Sequence, residues 1–371
     1  MSETPEPDRV EGAPHPRATA RLLGQGAAEA AFLDAFNAGR LHHGWLITGP
    51  RGTGKATLAW RIARFLLAEQ PADAGLFGAP PPPETLDVSP DDPSARRIAA
   101  LSEPRLKLIR RSLGDTGRLR SVISVEDVRD LKSFFHLSAA DGGRRVVIVD
   151  AADDMNPSAA NALLKELEEP PKGATILLVA HQPWRLLPTI RSRCRELRLT
   201  PLGPEDIATA LAAAGTEGAE AAALAELAGG SVGEAIRLAN LDGTATYAAM
   251  IGLFSGLPRL DRVKAIALAE TAGQRGAETR FDLTLTLFDA FLARLARTGA
   301  TGAPPPEAVP DEAQLLARLS PDARAGRGWA DLAQSLGARA RQGRAVNLDP
   351  AALLLDMVLR IDETAGALAP R

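Results

Sequence analysis

The 371-residue chain contains a single cysteine, Cys194. That scarcity excludes an intrachain disulfide and any four-cysteine zinc site, and it points to a reducing, cytoplasmic compartment. No apolar run approaches the ~20 residues that span a bilayer, so no membrane partner is expected. The opening Met1-Ser2-Glu3-Thr4-Pro5-Glu6 is acidic and carries proline, without the apolar centre of a signal peptide. A formal net charge of −3 leaves no broad basic field. Any contact with nucleic acid must then be local or shared with other subunits. No repeat of fixed period is present. What the chain does have is apolar material, 45% of its residues, enough at roughly 150 residues per domain for two or three cores.

Gly49-Pro50-Arg51-Gly52-Thr53-Gly54-Lys55-Ala56 has the form of a phosphate-binding loop with one part missing. Such a loop aims backbone N–H groups and a helix N-terminus at the β- and γ-phosphates. The lysine adds a point charge, and a Ser or Thr after it holds Mg²⁺. Ala56 holds nothing. Thr57 does not substitute, because one step along a helix turns a side chain by about 100°. A glycine-rich turn with a fortuitous lysine is the plainer account, but the flanks favour the loop. Trp45-Leu46-Ile47 reads as a buried strand, and Leu58, Ile62, Phe65 and Leu66 recur at helical spacing. Gly49, Gly52, Gly54 and Lys55, with Asp150 further along, are therefore the candidate contacts of a degenerate site for ATP or ADP, with no resident metal.

Residues 1–20 read as a flexible leader, and Leu22 to Phe36 carries a helical rhythm. Gln70 to Ser94 is proline-rich, with Pro80 to Pro83 consecutive, and is read as an insert. Leu106-Lys107-Leu108-Ile109 is a short strand. Ser124 with Asp127 predicts a capped helix start whose one face is Val128, Leu131 and Phe135. Val146 to Asp150 is a continuous apolar run closed by a carboxylate, and Ile176 to Val179 is a second. Between them Asn156-Pro157 opens a helix faced by Ala160, Leu163, Leu164 and Leu167, stopped by Pro170-Pro171. Strands alternating with helices after a phosphate loop predict an α/β domain with a parallel sheet. From Leu202 onward the pattern is helical.

Asp150 ends its strand where a Mg²⁺-associated carboxylate is expected, but Ala151 follows where hydrolysing relatives carry a glutamate that polarises water. Asp153 and Asp154 read as solvated loop acids. The basic residues Arg105, Lys107, Arg110, Arg111, Arg118 and Arg120 have no interleaved aromatics and read as a solvated face. His42-His43 reads as structural, and Cys194 as a small buried hydrophobe.

Three features occur in order: the loop at Gly49, the string Asn161-Ala162-Leu163-Leu164-Lys165-Glu166-Leu167-Glu168-Glu169-Pro170-Pro171, and the triplet Ser192-Arg193-Cys194. In this combination the chain resembles the clamp-loader branch of the AAA+ ATPases, over roughly residues 15–240. The resemblance implies an AAA+ P-loop sheet domain (21–200), a small helical lid (201–241) and an all-α collar (242–371). It implies that Arg193 is an arginine finger acting in trans on a neighbour's ATP. Where the family's lid senses nucleotide with an arginine, this chain has Gly233, and the family's zinc-binding insert is replaced by the cysteine-free segment 70–94.

Three losses, Ala56, Ala151 and Gly233, fall on the machinery for the chain's own ATP, while Arg193 serves another's. Random decay has no reason to respect that division. The resemblance therefore implies an accessory, non-hydrolysing ring member of a bacterial DNA polymerase III holoenzyme. Its partners would be delta and gamma/tau subunits, with the sliding clamp and primer-template DNA reached through the complex. A working ATPase of the tau/gamma type, or a stand-alone nucleotide-sensing or DNA-binding module, are the alternatives.

Overall fold

The computed structural model describes residues 6–7, 12–68, 81–114, 117, 119–136, 143–274, 278–346 and 348–369. The chain divides into two units, Met1–Asp206 with Ser231–Gly233, and Ile207–Gly230 with Glu234–Arg371.

The first unit is built on β1 (Gly44–Thr48), β2 (Leu106–Arg110), β3 (Arg145–Asp150), β4 (Ala174–Ala180) and β5 (Arg195–Arg198). All pairings are parallel, in the order β2-β3-β4-β1-β5. β1 and β4 are buried along their whole length, which is why their sequences are unbroken apolar runs. Alternation sends successive side chains to opposite faces. Trp45, Ile47, Val146, Ile148, Leu177 and Val179 share one core with Phe32 of α1 (Gly26–Asn37), Leu58 and Ile62 of α2 (Lys55–Leu67) and Ile98 of α3 (Pro93–Ala99). Leu46, Val147, Val149, Ile176 and Leu178 face the other way. They pack with Val128 of α4 (Val125–Arg129), Leu131 of α5 (Leu131–His136), Leu163 of α6 (Pro157–Glu168) and Ile190 of α7 (Pro188–Arg191). This is the parallel P-loop sheet domain that the resemblance implies.

Local signals position these elements. Asn156 Oδ1 accepts from Ala159 N at 2.8 Å, and Pro157 occupies the first turn of α6. Ser124 N donates to Asp127 Oδ2 at 2.8 Å, closing the capping box at the start of α4. Val128, Leu131 and Phe135 are all buried, but on two helices rather than one, because the chain breaks at Asp130. Of the insert 70–94, residues 70–80 lie outside the described residues. Beyond them Leu86 is buried in the first core, and Asn37 Nδ2 donates to Pro83 O at 3.0 Å. In the leader, Arg17 O and Thr19 O accept from Arg64 Nη1 and Nη2 at 2.6 and 2.7 Å.

The second unit carries helices and, among its described residues, no strand. α8 (Pro204–Ala213) leads into α9 (Gly218–Leu227), α10 (Val232–Asn240), α11 (Gly243–Phe254), α12 (Arg262–Gly273), α13 (Glu278–Thr301), α14 (Glu312–Leu319), α15 (Ala323–Ala345) and α16 (Pro350–Leu368). A buried ionic network ties four of its segments. The fully buried carboxylate of Glu312 accepts from Tyr247 Oη and Arg294 Nε at 2.6 Å each and from Ala308 N at 2.7 Å.

Candidate functional site

β1 ends at Thr48, and the chain turns through Gly49 (φ 140°), Gly52 (φ 72°) and Gly54 (φ 94°) into α2 at Lys55. These are conformations that glycine adopts at little cost. At Gly49 the need is also spatial, since a Cβ would stand 2.5 Å from Leu199 O. The lysine turns back on its own loop. Nζ donates to Gly49 O at 2.8 Å and to Pro50 O. Lys55 is buried; that burial, with Arg51 nearby, pushes its amine down to about 8, against the pull of Asp150 and Asp153.

The loop is braced on both sides. Gln25 Nε2 donates to Thr53 O at 3.4 Å and Thr200 O at 2.8 Å, and Thr200 N returns a bond to Gln25 Oε1 at 3.2 Å. Gly233 N donates to Gly52 O at 3.3 Å, and a Cβ on Gly52 would fall 2.0 Å from Ser231 Oγ. The stretch that lacks a sensing arginine thus meets the loop through backbone and a small hydroxyl residue.

Asp150 is buried at the end of β3, within electrostatic reach of Lys55, and Ala151 is buried behind it. Asp153 and Asp154 correct the sequence reading, for neither is a solvated loop acid. A 3₁₀ turn over Ala152–Asp154 folds them inward. Asp153 is buried, and its two oxygens accept from His181 N and Gln182 N at 3.0 Å each. Asp154 sits 3.3 Å from Arg111 Nε, and burial raises its carboxyl above the ordinary value. His181 follows β4. Burial, with Lys55 and Arg51 adding to it, brings the imidazole down to about 4, so the ring is neutral at pH 7.

Arg193 stands elsewhere. Its Nη2 lies 2.9 Å from Glu168 Oε1, and its Nη1 donates to Thr189 O at 3.1 Å. Its carbonyl is 3.0 Å from where a Cβ of Gly44 would be. Gly44 opens β1 and Gly49 follows its end, a rise of roughly 17 Å. Gly49, Gly52, Gly54, Lys55 and Asp150 therefore gather at one end of the strands, and Arg193 lies toward the other.

The remaining flagged residues are mostly engaged in ordinary contacts. Arg105 pairs with Glu103 at 2.8 Å, Arg110 with Glu6 at 2.8 Å, and Lys107 with Asp130 at 3.9 Å. Arg111 pairs with Asp154 at 3.3 Å, and Arg120 is exposed; Arg118 lies outside the described residues. His43 Nε2 bonds Leu167 O at 3.1 Å, and the His42 and His43 rings stack at 4.3 Å. Burial pushes the Cys194 thiol up to about 12, so it is no nucleophile.

Residues 24–203 match the family model described as DNA polymerase III, delta subunit. The DNA polymerase III subunit delta' of Pseudomonas aeruginosa is 40% identical over 152 residues, 41% of each chain. Over this segment, just under half of the chain, the protein is similar to the delta-prime subunits of DNA polymerase III. The gamma/tau subunit of Mycobacterium bovis is 30% identical over 197 residues, 53% of this chain and 31% of that one. The chain thus spans less than half the length of these curated relatives. Among solved structures, a DNA polymerase III gamma subunit-related protein from Thermotoga maritima is 18% identical, covering 90% of this chain and 99% of that one at a TM-score of 0.36.

Several residues that shape the site carry no sequence signal. Gln25 precedes a helix without marking it, and Asp153 looks like any loop acid. Glu168 could have been singled out as a candidate partner, since its string and the Ser192-Arg193-Cys194 triplet were already paired by the resemblance.

Proposed function

We propose that this chain is a delta-prime-like stator of a bacterial clamp loader, which donates Arg193 to the triphosphate of a neighbouring gamma/tau-type subunit and does not hydrolyse ATP itself. One observation carries the reading: Arg193 is half-buried beside Glu168, near the opposite end of β1 from its own phosphate loop. A guanidinium there is too far along the strand to serve its own loop at Lys55, which supports a role toward a neighbour. Guanidinium is permanently charged and forked, which suits it to charge building on a transferred phosphoryl group.

The state of the chain's own loop supports the same division. Ala56 offers no oxygen to Mg²⁺, Ala151 no base to water, and Gly233 no cation to the phosphates. Lys55 spends two of its three donors on Gly49 O and Pro50 O. ATP or ADP at this loop would have a structural role only. Residues 201–241 then serve as lid and 242–371 as collar, and delta, gamma/tau, clamp and primer-template DNA are the partners of the assembled ring.

The test is a reconstituted ring carrying Arg193→Ala. Assembly should survive, while hydrolysis at the adjacent site slows by about 10³–10⁵. An unchanged rate at that site would refute the donor role. Steady Mg²⁺-dependent turnover by the isolated chain would point instead to a working ATPase.

A further inference from the structure

At the C-terminal end of the parallel strands, cations from separate parts of the sequence act on one carboxylate, Asp154, and one of them sits on an aromatic turn. Arg51 in the loop after β1, Arg111 directly after β2 and Arg185 after β4 all act on the Asp154 carboxylate. Arg111 is paired with that carboxylate. Arg51 and Arg185 are exposed and have no ion pair among the described residues. Trp184 stands beside Arg185 on the 3₁₀ turn Pro183–Arg185. Its side chain is 71% exposed, whereas Trp45, Trp60 and Trp329 are at 0%.

The turn is held in place. Asp153 clamps His181 N and Gln182 N, Arg185 N donates to Gln182 O at 2.9 Å, and the next residue, Leu186, is buried. An indole on a fixed turn loses little conformational freedom when a ligand covers it. Its ring has no stacking or cation–π partner among the described residues. Its immediate neighbours on the turn are Gln182, Pro183 and Arg185, not the apolar ring that surrounds the centre of a protein interface.

We propose that Trp184, Arg51 and Arg185 form a contact for single-stranded nucleic acid, in which an unpaired base stacks on the indole and the flanking phosphates meet the two guanidiniums. Base–aromatic stacking beside a local positive groove is the general basis of sequence-tolerant single-strand binding. The small overall charge is no obstacle, because the cations are local. This contact is independent of the trans role of Arg193 and is tested on the chain alone.

Labelled oligo(dT) of 20 nucleotides, added to the full chain at low salt, should bind and quench the Trp184 emission, the three buried tryptophans being unaffected. Trp184→Ala, at a position that supports no packing, should keep the circular dichroism spectrum and weaken binding read by anisotropy about 5- to 150-fold. Trp184→Phe should recover most of the loss. Arg185→Ala should make the plot of log K against log[salt] shallower by about 0.7. Wild-type affinity in Trp184→Ala, or an abasic oligomer of equal length binding as well as oligo(dT), overturns the proposal. So does an emission that responds to delta and gamma/tau subunits but not to oligo(dT), which would make the turn a protein interface.

Discussion

Arg193 Nη2 lies 2.9 Å from Glu168 Oε1, joining two of the three features on which the clamp-loader resemblance rests. Both side chains are more than one-third exposed, so the pair contributes little to stability. Its effect is on direction: with Thr189 O accepting from Nη1, it holds the guanidinium plane in one orientation.

If Arg193 acts on a neighbour's triphosphate as proposed, fork geometry is the critical property of residue 193. Arg193→Lys keeps the charge but not the planar pair of donors. In a reconstituted ring it should restore less than a tenth of the rate lost in Arg193→Ala, as read by phosphate release per assembled complex. Full rescue by lysine would show that only a point charge is needed.

Glu312 is the anchor of the helical unit. Glu312→Ala leaves the buried Arg294 guanidinium without its closest carboxylate, a change that costs about 3–5 kcal/mol in comparable buried pairs. Urea unfolding followed at 222 nm should show this as a lower midpoint. Tyr247→Phe, which removes one hydrogen bond to the same carboxylate, should cost about 1–2 kcal/mol.

Lys55 predicts a particular pH dependence. Its amine is brought from the ordinary 10.5 to about 8 in the folded chain. Between those values the unfolded chain binds more protons than the folded one, so stability rises with pH across that window. Below pH 8 both states are protonated and the slope vanishes. Lys55→Met should abolish a rise of up to about 3 kcal/mol, measured by denaturant unfolding at pH 7.5 and 10.

Asp153 holds the turn after β4 by two backbone bonds. Asp153→Ala should cost about 1–3 kcal/mol, since two N–H groups lose a charged acceptor. Faster amide exchange confined to His181 and Gln182 would identify the cause. Uniform acceleration across the sheet would instead mean a global loss of stability.

Much of this molecule is legible in its residues because the signals are local. The apolar runs at Trp45, Val146 and Ile176 are strands since both of their faces are covered. Asn156-Pro157 marks its helix through a cap that depends on three residues. β5 was missed for the converse reason: in Arg195-Glu196-Leu197-Arg198 only Leu197 is buried, so four residues on a sheet edge give no periodicity. The apolar spacing of Val128, Leu131 and Phe135 survives the break at Asp130, so one helix was read where two exist. The Glu168–Arg193 pair spans 25 positions and depends on how α6 and α7 pack on the sheet, which no short pattern encodes. Trp184 is similar, since Arg51, which acts with the adjacent Arg185 on Asp154, comes from a distant loop.

β1 gives the domain a polarity: the phosphate loop follows its last residue, and Arg193 lies beside its first. If Arg193 serves a neighbour's nucleotide as proposed, head-to-tail stacking passes each arginine to the next molecule's loop, and the series ends at a member whose own loop cannot receive. On that proposal the chain is suited to terminate an arc rather than to continue it.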